Sequence, residues 1–273
     1  MNLLTCVLAL HNLWLQKWPF PRGKWIFRRF LHLLAHAHAV KPAWRETPHH
    51  FRLWLDPQDH LQREILLTGC WEAKETDVAM STLSPGDDAI DIGANIGYFT
   101  LVMARAVGPS GRVLACEPNP VVMERLRCHI EANHVDNVIQ SEVACSDASG
   151  RSTLFVNGPH NSGKSSLCAS NVAVAGKAMS VSVACTRADE LVSRHHLSNV
   201  RLVKIDVEGA ELSVLQGLTT LLRVCRPLLL VELEHPLLAA FNTSAEEIYV
   251  FLRGFGYSGQ RIPGSANHLF TAG

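Results

Sequence analysis

Some residues in the chain have the types and spacing that a binding site needs. In the stretch AIDIGANIGYFTL, Ala89 to Leu101, a buried-strand pattern runs into a glycine-rich turn and then a helix start. Gly93 allows a sharp turn at the strand end, and Gly97 lets the helix pack close to the sheet. Asn95 stands where a dinucleotide fingerprint has its middle glycine, and Asn tolerates positive φ better than most residues. Asp91 closes the strand below the turn. Twenty-six residues after Asp91, a second apolar run, RVLACEPNP, reaches Glu117. An acid at the tip of a second strand is placed to accept hydrogen bonds from two ribose hydroxyls. The turn and the acid together point to an adenosine-containing ligand.

A second set of polar residues comes after two later apolar runs. RLVKIDVEG ends in Asp206 and Glu208, and PLLLVELEH ends in Glu232, Glu234 and His235. Ligands of open α/β sheets sit at the carboxyl ends of the strands. These side chains are therefore expected beside the first Gly turn. Lys204 is expected to pair with a neighbouring acid within its strand.

The same stretches carry a family likeness. DxGANxGYFT, GRVLACEPNP and KIDVEGAE, with LTGCWE, NSGKSSL and RPLLLVELE, resemble the FkbM family of S-adenosylmethionine-dependent methyltransferases, roughly from Phe51 to Phe270. The resemblance implies an α/β fold of the class I methyltransferase type, a Rossmann-like, doubly wound, mostly parallel sheet of seven strands. It implies S-adenosylmethionine as cofactor, held by Asp91, Gly93, Asn95, Gly97 and Glu117. It adds Glu72, from the Gly-x-aromatic-Glu pattern in LTGCWE, and Asp147, the acid after the third strand, which would meet the adenine amino group. A salt bridge is the alternative for Glu72, and a turn-forming role for Asp147. The implied reaction is O-methylation of a hydroxyl on a sugar, glycolipid or natural product. Methyl transfer from a sulfonium needs in-line positioning and removal of an alcohol proton. Asp206 would orient the acceptor hydroxyl, and His235 or Glu232 would take its proton. Glu208 is either a further candidate or a helix-start carboxylate stabilised by the dipole. Carboxylates from the fourth and fifth strands holding Mg²⁺ are a less favoured alternative.

The elements that must position these groups can be read from the pattern along the chain. Beyond the first βα unit come strands at Val113 to Cys116 and Val138 to Val143, with a helix from Val121 to Asn133 between them. Arg151 to Cys185 is a strand-rich excursion in which STLFV and SVSVAC alternate. Thr186 is expected to cap a helix, with Asp189 three residues on. A strand then runs from Arg201 to Ile205, and a helix from Glu211 to Leu222. A fifth strand, a helix from Ala245 to Phe255 and a final antiparallel pair near Ser258 to Ile262 and His268 to Thr271 complete the sheet. Alternating β and α elements imply a mostly parallel, doubly wound arrangement.

The 273 residues suit one sizeable α/β core with an appendage, and the net charge is zero. Residues 1–52 hold eight Lys or Arg and one acid, so they carry +7, and all six Trp fall within the first 71 residues. Residues 1–50 are therefore read as a basic, aromatic-rich helical extension and residues 51–273 as the methyltransferase domain. A helix is expected over Lys24 to Ala39. It either packs on the domain or lies on an anionic membrane surface. His32, His36 and His38 share a helical face but lack a fourth ligand type, and no metal site is assigned. Met1 to Trp18 is apolar but lacks the basic start and cleavage signal of a leader, and it is too interrupted for a membrane span. The eight Cys show no CxxC spacing, which fits reduced thiols in a cytoplasmic protein, any membrane association being peripheral. No nucleic-acid partner is expected.

Two rival readings remain. Gly158 to Ser165, GPHNSGKS, matches a phosphate-binding loop letter for letter, with Lys164 for phosphate and Ser165 for Mg²⁺. The chain continues as SSLCASNVAVAG from Ser165, which is Ser- and Val-rich and a poor helix for that role. The other rival is a pseudoenzyme that keeps the cofactor fold without turnover.

Overall fold

The computed structural model describes residues 41–156, 165–172 and 179–273. The expected helix over Lys24 to Ala39, the His32–His36–His38 group, and Gly158 to Lys164 lie outside the described residues. The chain divides into two compact units, one ending at Ala73 and one beginning at Lys74.

In the first unit, strands β1 (Ala43–Glu46) and β2 (Arg52–Leu55) pair antiparallel, with Trp44 opposite Trp54. The two indoles meet edge to face at 6.0 Å. This hairpin joins residues on both sides of the 50/51 junction expected from composition. Helix α1 (His60–Thr68) starts at Asp59, whose carboxylate accepts from Gln62 N at 3.0 Å. It ends at Gly69, a left-handed cap whose N–H donates to Ile65 O. Helix α2 (Ala73–Thr82) leads into the second unit.

The second unit is built on a seven-stranded sheet. Its strands are β3 (Asp88–Ile92), β4 (Arg112–Cys116), β5 (Val138–Ser141), β10 (Val200–Ile205), β11 (Leu228–Glu232), β12 (Tyr257–Arg261) and β13 (Asn267–Ala272), in the order β12-β13-β11-β10-β3-β4-β5. The pairs from β5 to β11 are parallel, and β13 runs antiparallel to both its neighbours. This is the mostly parallel sheet that the alternation implied, with the seven strands that the family resemblance implied.

Apolar side chains cover both faces, as a doubly wound sheet requires. On β4, Leu114 and Cys116 join the core containing Ile90, Ile92, Val203 and Val231. Ala115, pointing the other way, packs with Met123, Leu126 and Ile130 of α4 (Pro120–Ala132). Helix α3 (Tyr98–Val107) comes directly after β3 and its turn.

A smaller sheet of order β6-β9-β7-β8 forms the excursion, from β6 (Ala144–Cys145), β7 (Gly150–Val156), β8 (Ser165–Ser166) and β9 (Met179–Thr186). Its presence shortens the third core strand: β5 stops at Ser141, and Ala144 already pairs with β9.

Two capping expectations are corrected. Helix α5 (Ala188–Arg194) is preceded by Arg187, because Thr186 still belongs to β9. Asp189 instead accepts from Thr220 N at 2.8 Å and Leu221 N at 3.0 Å, at the start of α7 (Thr219–Val224). The single helix expected from Glu211 to Leu222 is two, α6 (Glu211–Gln216) and α7. They part at Gly217, where a β-carbon would overlap the Ser146 carbonyl oxygen. Helix α8 (His235–Ala240) and helix α9 (Ala245–Arg253) come after β11, the latter opened by a Ser244–Glu247 capping box.

The described cysteines, Cys116 and Cys145 among them, are free thiols. No helix among the described residues is long and apolar enough to cross a membrane.

Candidate active site

The sheet reverses its order at β3. From β3 the chain steps outward to β4 and β5, then returns to place β10 on the other side of β3. The crevice at the carboxyl ends of β3 and β10 is where such folds bind ligands.

The turn after β3 is held by backbone bonds and by one acid. Gly93 N and Ala94 N both donate to Cys116 O, at 2.9 and 3.0 Å, which folds the turn over the end of β4. Gly93 has φ +83°, and a β-carbon there would overlap the Asp206 carbonyl oxygen. Asn95 takes φ +50°, the left-handed conformation read from its type. Its N–H donates to Glu117 Oε2 at 2.9 Å, while Glu117 Oε1 accepts from Asn119 N at 2.9 Å. Gly97 has φ +90° and lies against Leu126, where a β-carbon would overlap the leucine side chain. From α4, His129 Nδ1 meets the Ile96 carbonyl at 2.7 Å and anchors the turn from beneath.

Asp91 is 1 % exposed. Its Oδ2 accepts from Thr100 Oγ1 at 2.6 Å, and its Oδ1 is buried without a hydrogen-bond partner. Burial pushes its carboxyl up, against the pull of Lys204 and the Thr100 bond. Burial also pushes Glu117 up to about 7, although its two backbone hydrogen bonds oppose the shift.

Lys204, 3 % exposed, lies opposite Asp91 in the β3–β10 register. Its Nζ is 2.8 Å from Asp206 Oδ2 and sits over the Phe99 ring at 4.7 Å. The pairing expected for Lys204 is therefore with Asp206. Burial pushes the Asp206 carboxyl up, but the charge and hydrogen bond of Lys204 outweigh it and hold the group below its ordinary value. Glu232 is hydrogen-bonded to Asp206, and the Asp206 charge, with burial, pushes Glu232 up to about 11.

The loop after β10 is shaped by Glu211 and by the excursion. Glu211 Oε1 accepts from Val207 N at 3.3 Å and Gly209 N at 3.0 Å, and burial pushes this carboxyl up to about 7. Glu208 has φ +55°, and its carbonyl accepts from Ser166 Oγ at 2.8 Å and Asn171 Nδ2 at 2.9 Å.

The structure thus brings Asp91, Glu117, Asp206, Glu208 and Glu232 into one electrostatic group with Lys204. His235, the first residue of α8, and Asp147, which accepts from Ser146 Oγ at 2.9 Å, are exposed and join no such group among the described residues. Asp147 lies beyond β6 of the smaller sheet, whereas the end of β5 is marked by Ser141 and by Glu142, which is paired with Arg127 at 2.8 Å. Glu72 is half-buried at φ +45° in the first unit. No group of three or more His, Cys, Asp or Glu arranged to hold a metal ion occurs among the described residues. Thr100, His129, Ser166, Asn171 and Glu211 hold the site together, yet none has a distinguishing local pattern.

The family model of the methyltransferase FkbM domain matches residues 91–258, from Asp91 through the strand ends of the site to Ser258. The chain belongs to the FkbM methyltransferase family. This FkbM-family chain is 32% identical over 183 residues to Methyltransferase 1 of Beauveria bassiana, covering 62% of its own length and 72% of that protein. It is 30% identical over 182 residues to the 31-O-demethyl-FK506 methyltransferase FkbM of Streptomyces tacrolimicus, covering 58% and 67%. It is 31% identical over 143 residues to the hexuronic acid methyltransferase AglP of Haloferax volcanii, covering 50% and 52%.

Proposed function

We propose that this FkbM-family chain moves a methyl group from S-adenosylmethionine to a hydroxyl oxygen of an uncharged small-molecule or glycan acceptor. The observation that carries the cofactor part is the tie between Asn95 N and Glu117 Oε2, which fixes the acid of the second strand against the glycine turn of the first. The residues fit the cofactor. Each Glu117 oxygen accepts one backbone N–H and keeps lone-pair capacity for a ribose hydroxyl. The buried, unpartnered Asp91 Oδ1 is an acceptor in need of a donor, which the ligand's ammonium group would supply. Gly93, Asn95 and Gly97 let the backbone approach the ligand closely. When bound, S-adenosylmethionine supplies an activated methyl on a sulfonium.

Asp206 is the group on this chain best suited to the acceptor. It stays ionised through Lys204, stands at the tip of β10 and is about a quarter exposed, with 24% of its side-chain surface accessible. It can accept the acceptor's O–H and orient its oxygen. Such positioning contributes about 7–11 kcal/mol in well-aligned systems. Deprotonation by a nearby base adds roughly 10²–10⁴-fold. The carboxyl-rich surroundings favour an uncharged acceptor over an anionic one, since like charges repel at close range.

Calorimetry with S-adenosylmethionine and S-adenosylhomocysteine tests the cofactor assignment, and no heat on folded protein would end it. A methyl-label screen over glycolipid and small-hydroxyl extracts tests the acceptor. The +7 charge of residues 1–52 supports a second element of the reading, peripheral attachment to an anionic membrane. Flotation with anionic vesicles at low and high salt tests it, and failure to float at low salt rules it out.

A further inference from the structure

Strands β10 and β11 are parallel neighbours, and Ile205 lies opposite Val231. The next residues along, Asp206 and Glu232, therefore stand side by side at the same rim, with their carboxyls in direct interaction. Two ionised carboxylates offer acceptors only, so one proton must sit in this pair. Lys204 decides where the charge goes. Its buried Nζ is 2.8 Å from Asp206 Oδ2, which places the negative charge on Asp206 and leaves the proton to Glu232. The other groups around Glu232 favour the same choice. Glu208 adds a further negative charge, and the β13 residue opposite Glu232 is the uncharged Asn267.

We propose that Glu232 is a positioning residue that works as a neutral carboxylic acid, donating its proton in a hydrogen bond to Asp206 and holding that carboxylate in one orientation at the strand ends. Lys204 and Glu232 grip Asp206 from two sides, one by charge and one by a neutral donor. Glu232 is then not the base, because its proton is already committed to Asp206. The role of Asp206 toward an acceptor rests on the methyl-transfer reading. The location of the proton does not.

The test compares the wild-type protein with Glu232→Gln, Glu232→Leu and Glu208→Gln. A glutamine amide keeps a neutral donor where a leucine has none. At neutral pH, infrared difference spectra are expected to show the carbonyl stretch of a protonated carboxylic acid that disappears in Glu232→Gln and persists in Glu208→Gln. Glu232→Gln is expected to melt near the wild type and Glu232→Leu below it. With a methylated acceptor in hand, Glu232→Gln keeps kcat within a few fold, with a superimposable pH profile. Glu232→Leu loses kcat with cofactor affinity unchanged. Absence of the acid band in the wild type would overturn the proposal. So would loss of turnover in folded Glu232→Gln, which is the mark of a base. The infrared readout needs neither cofactor nor acceptor. A protein that shows the band but transfers no methyl group therefore keeps this proposal and loses the functional one.

Discussion

The backbone of Gly93 passes against the carbonyl of Asp206, with no room for a β-carbon between them. This contact joins the glycine turn after β3 to the end of β10 that carries Asp206, and only glycine permits it. Gly93→Ala would add a left-handed backbone penalty of about 1–2 kcal/mol to a direct overlap with main-chain atoms. We expect this variant to melt well below the wild type and to lose cofactor binding. Gly150, in β7, is the control, since a β-carbon there meets nothing within 4 Å. Gly150→Ala should melt at or slightly above the wild type. Equal melting of the two variants would show that the close approach does not matter.

Glu117 offers a binding prediction. Charge-assisted hydrogen bonds contribute about 1.5–3 kcal/mol each, so Glu117→Ala should weaken S-adenosylmethionine at least about tenfold in calorimetry. An unchanged affinity would remove Glu117 from the ribose site.

The same residue offers a pH prediction. Burial raises its carboxyl from an ordinary 4.5 to about 7. Between those values the folded state holds a proton that the unfolded chain has released, so this group's contribution to stability falls as pH rises through the window. Glu117→Gln removes that titration. Relative to the wild type, the variant should therefore gain melting temperature from pH 5 to pH 8. Cofactor affinity of the wild type should move the other way and strengthen as Glu117 ionises. Parallel melting curves of variant and wild type across this range would contradict the shifted group.

The legible part of the site is the part made of local backbone chemistry. Gly93, Asn95 and Gly97 announce left-handed or close-packed positions by residue type, and all three have positive φ. The alternation of β and α elements likewise carried the mostly parallel sheet, and the family resemblance its seven strands. What sequence pattern missed depends on contacts between distant segments. Ser166 and Asn171 bond to the Glu208 carbonyl across 42 and 37 residues of chain. The short strand β1 exists through its pairing with β2, and the break at Gly217 through the approach of Ser146. The proton on Glu232 needs the β10–β11 register and the reach of Lys204, neither of which a run of letters contains.

The phosphate-loop rival makes its own prediction. In such a loop the Ser after the Lys opens a helix and turns its hydroxyl to Mg²⁺. Here Ser165 begins β8, paired with Val156, and its Oγ accepts from Asn119 Nδ2 at 3.1 Å. Accordingly ATP with Mg²⁺ should leave the melting temperature unchanged, and Lys164→Ala should keep methyl transfer within a few fold. A melting shift that requires both ATP and Mg²⁺ and vanishes in Lys164→Ala would overturn this view.

The last prediction separates Asp206 from His235. Asp206 is tied to Lys204 and Glu232 at the rim that also bears the Gly93 turn, while His235 stands exposed at the start of α8. An asparagine in place of Asp206 keeps the shape but removes the charge that Lys204 and Glu232 are arranged around. It also removes the negative charge 2.8 Å from the buried Lys204 ammonium. We therefore expect Asp206→Asn to lower kcat by about 10²-fold or more, the range of a lost base or orienting group, with S-adenosylmethionine affinity within a few fold. His235→Ala should lower kcat far less. A rank order reversed in kcat, on folded variants with equal cofactor affinity, would move the base to His235 and leave Asp206 a structural ion pair. Loss of cofactor affinity in Asp206→Asn would place that carboxylate in the cofactor site instead. Turnover that EDTA abolishes and Mg²⁺ restores would replace the base with a metal. Preserved turnover in both variants would shift the role to Glu208, whose carbonyl is already pinned by Ser166 and Asn171 while its side chain lies within the electrostatic reach of Glu232.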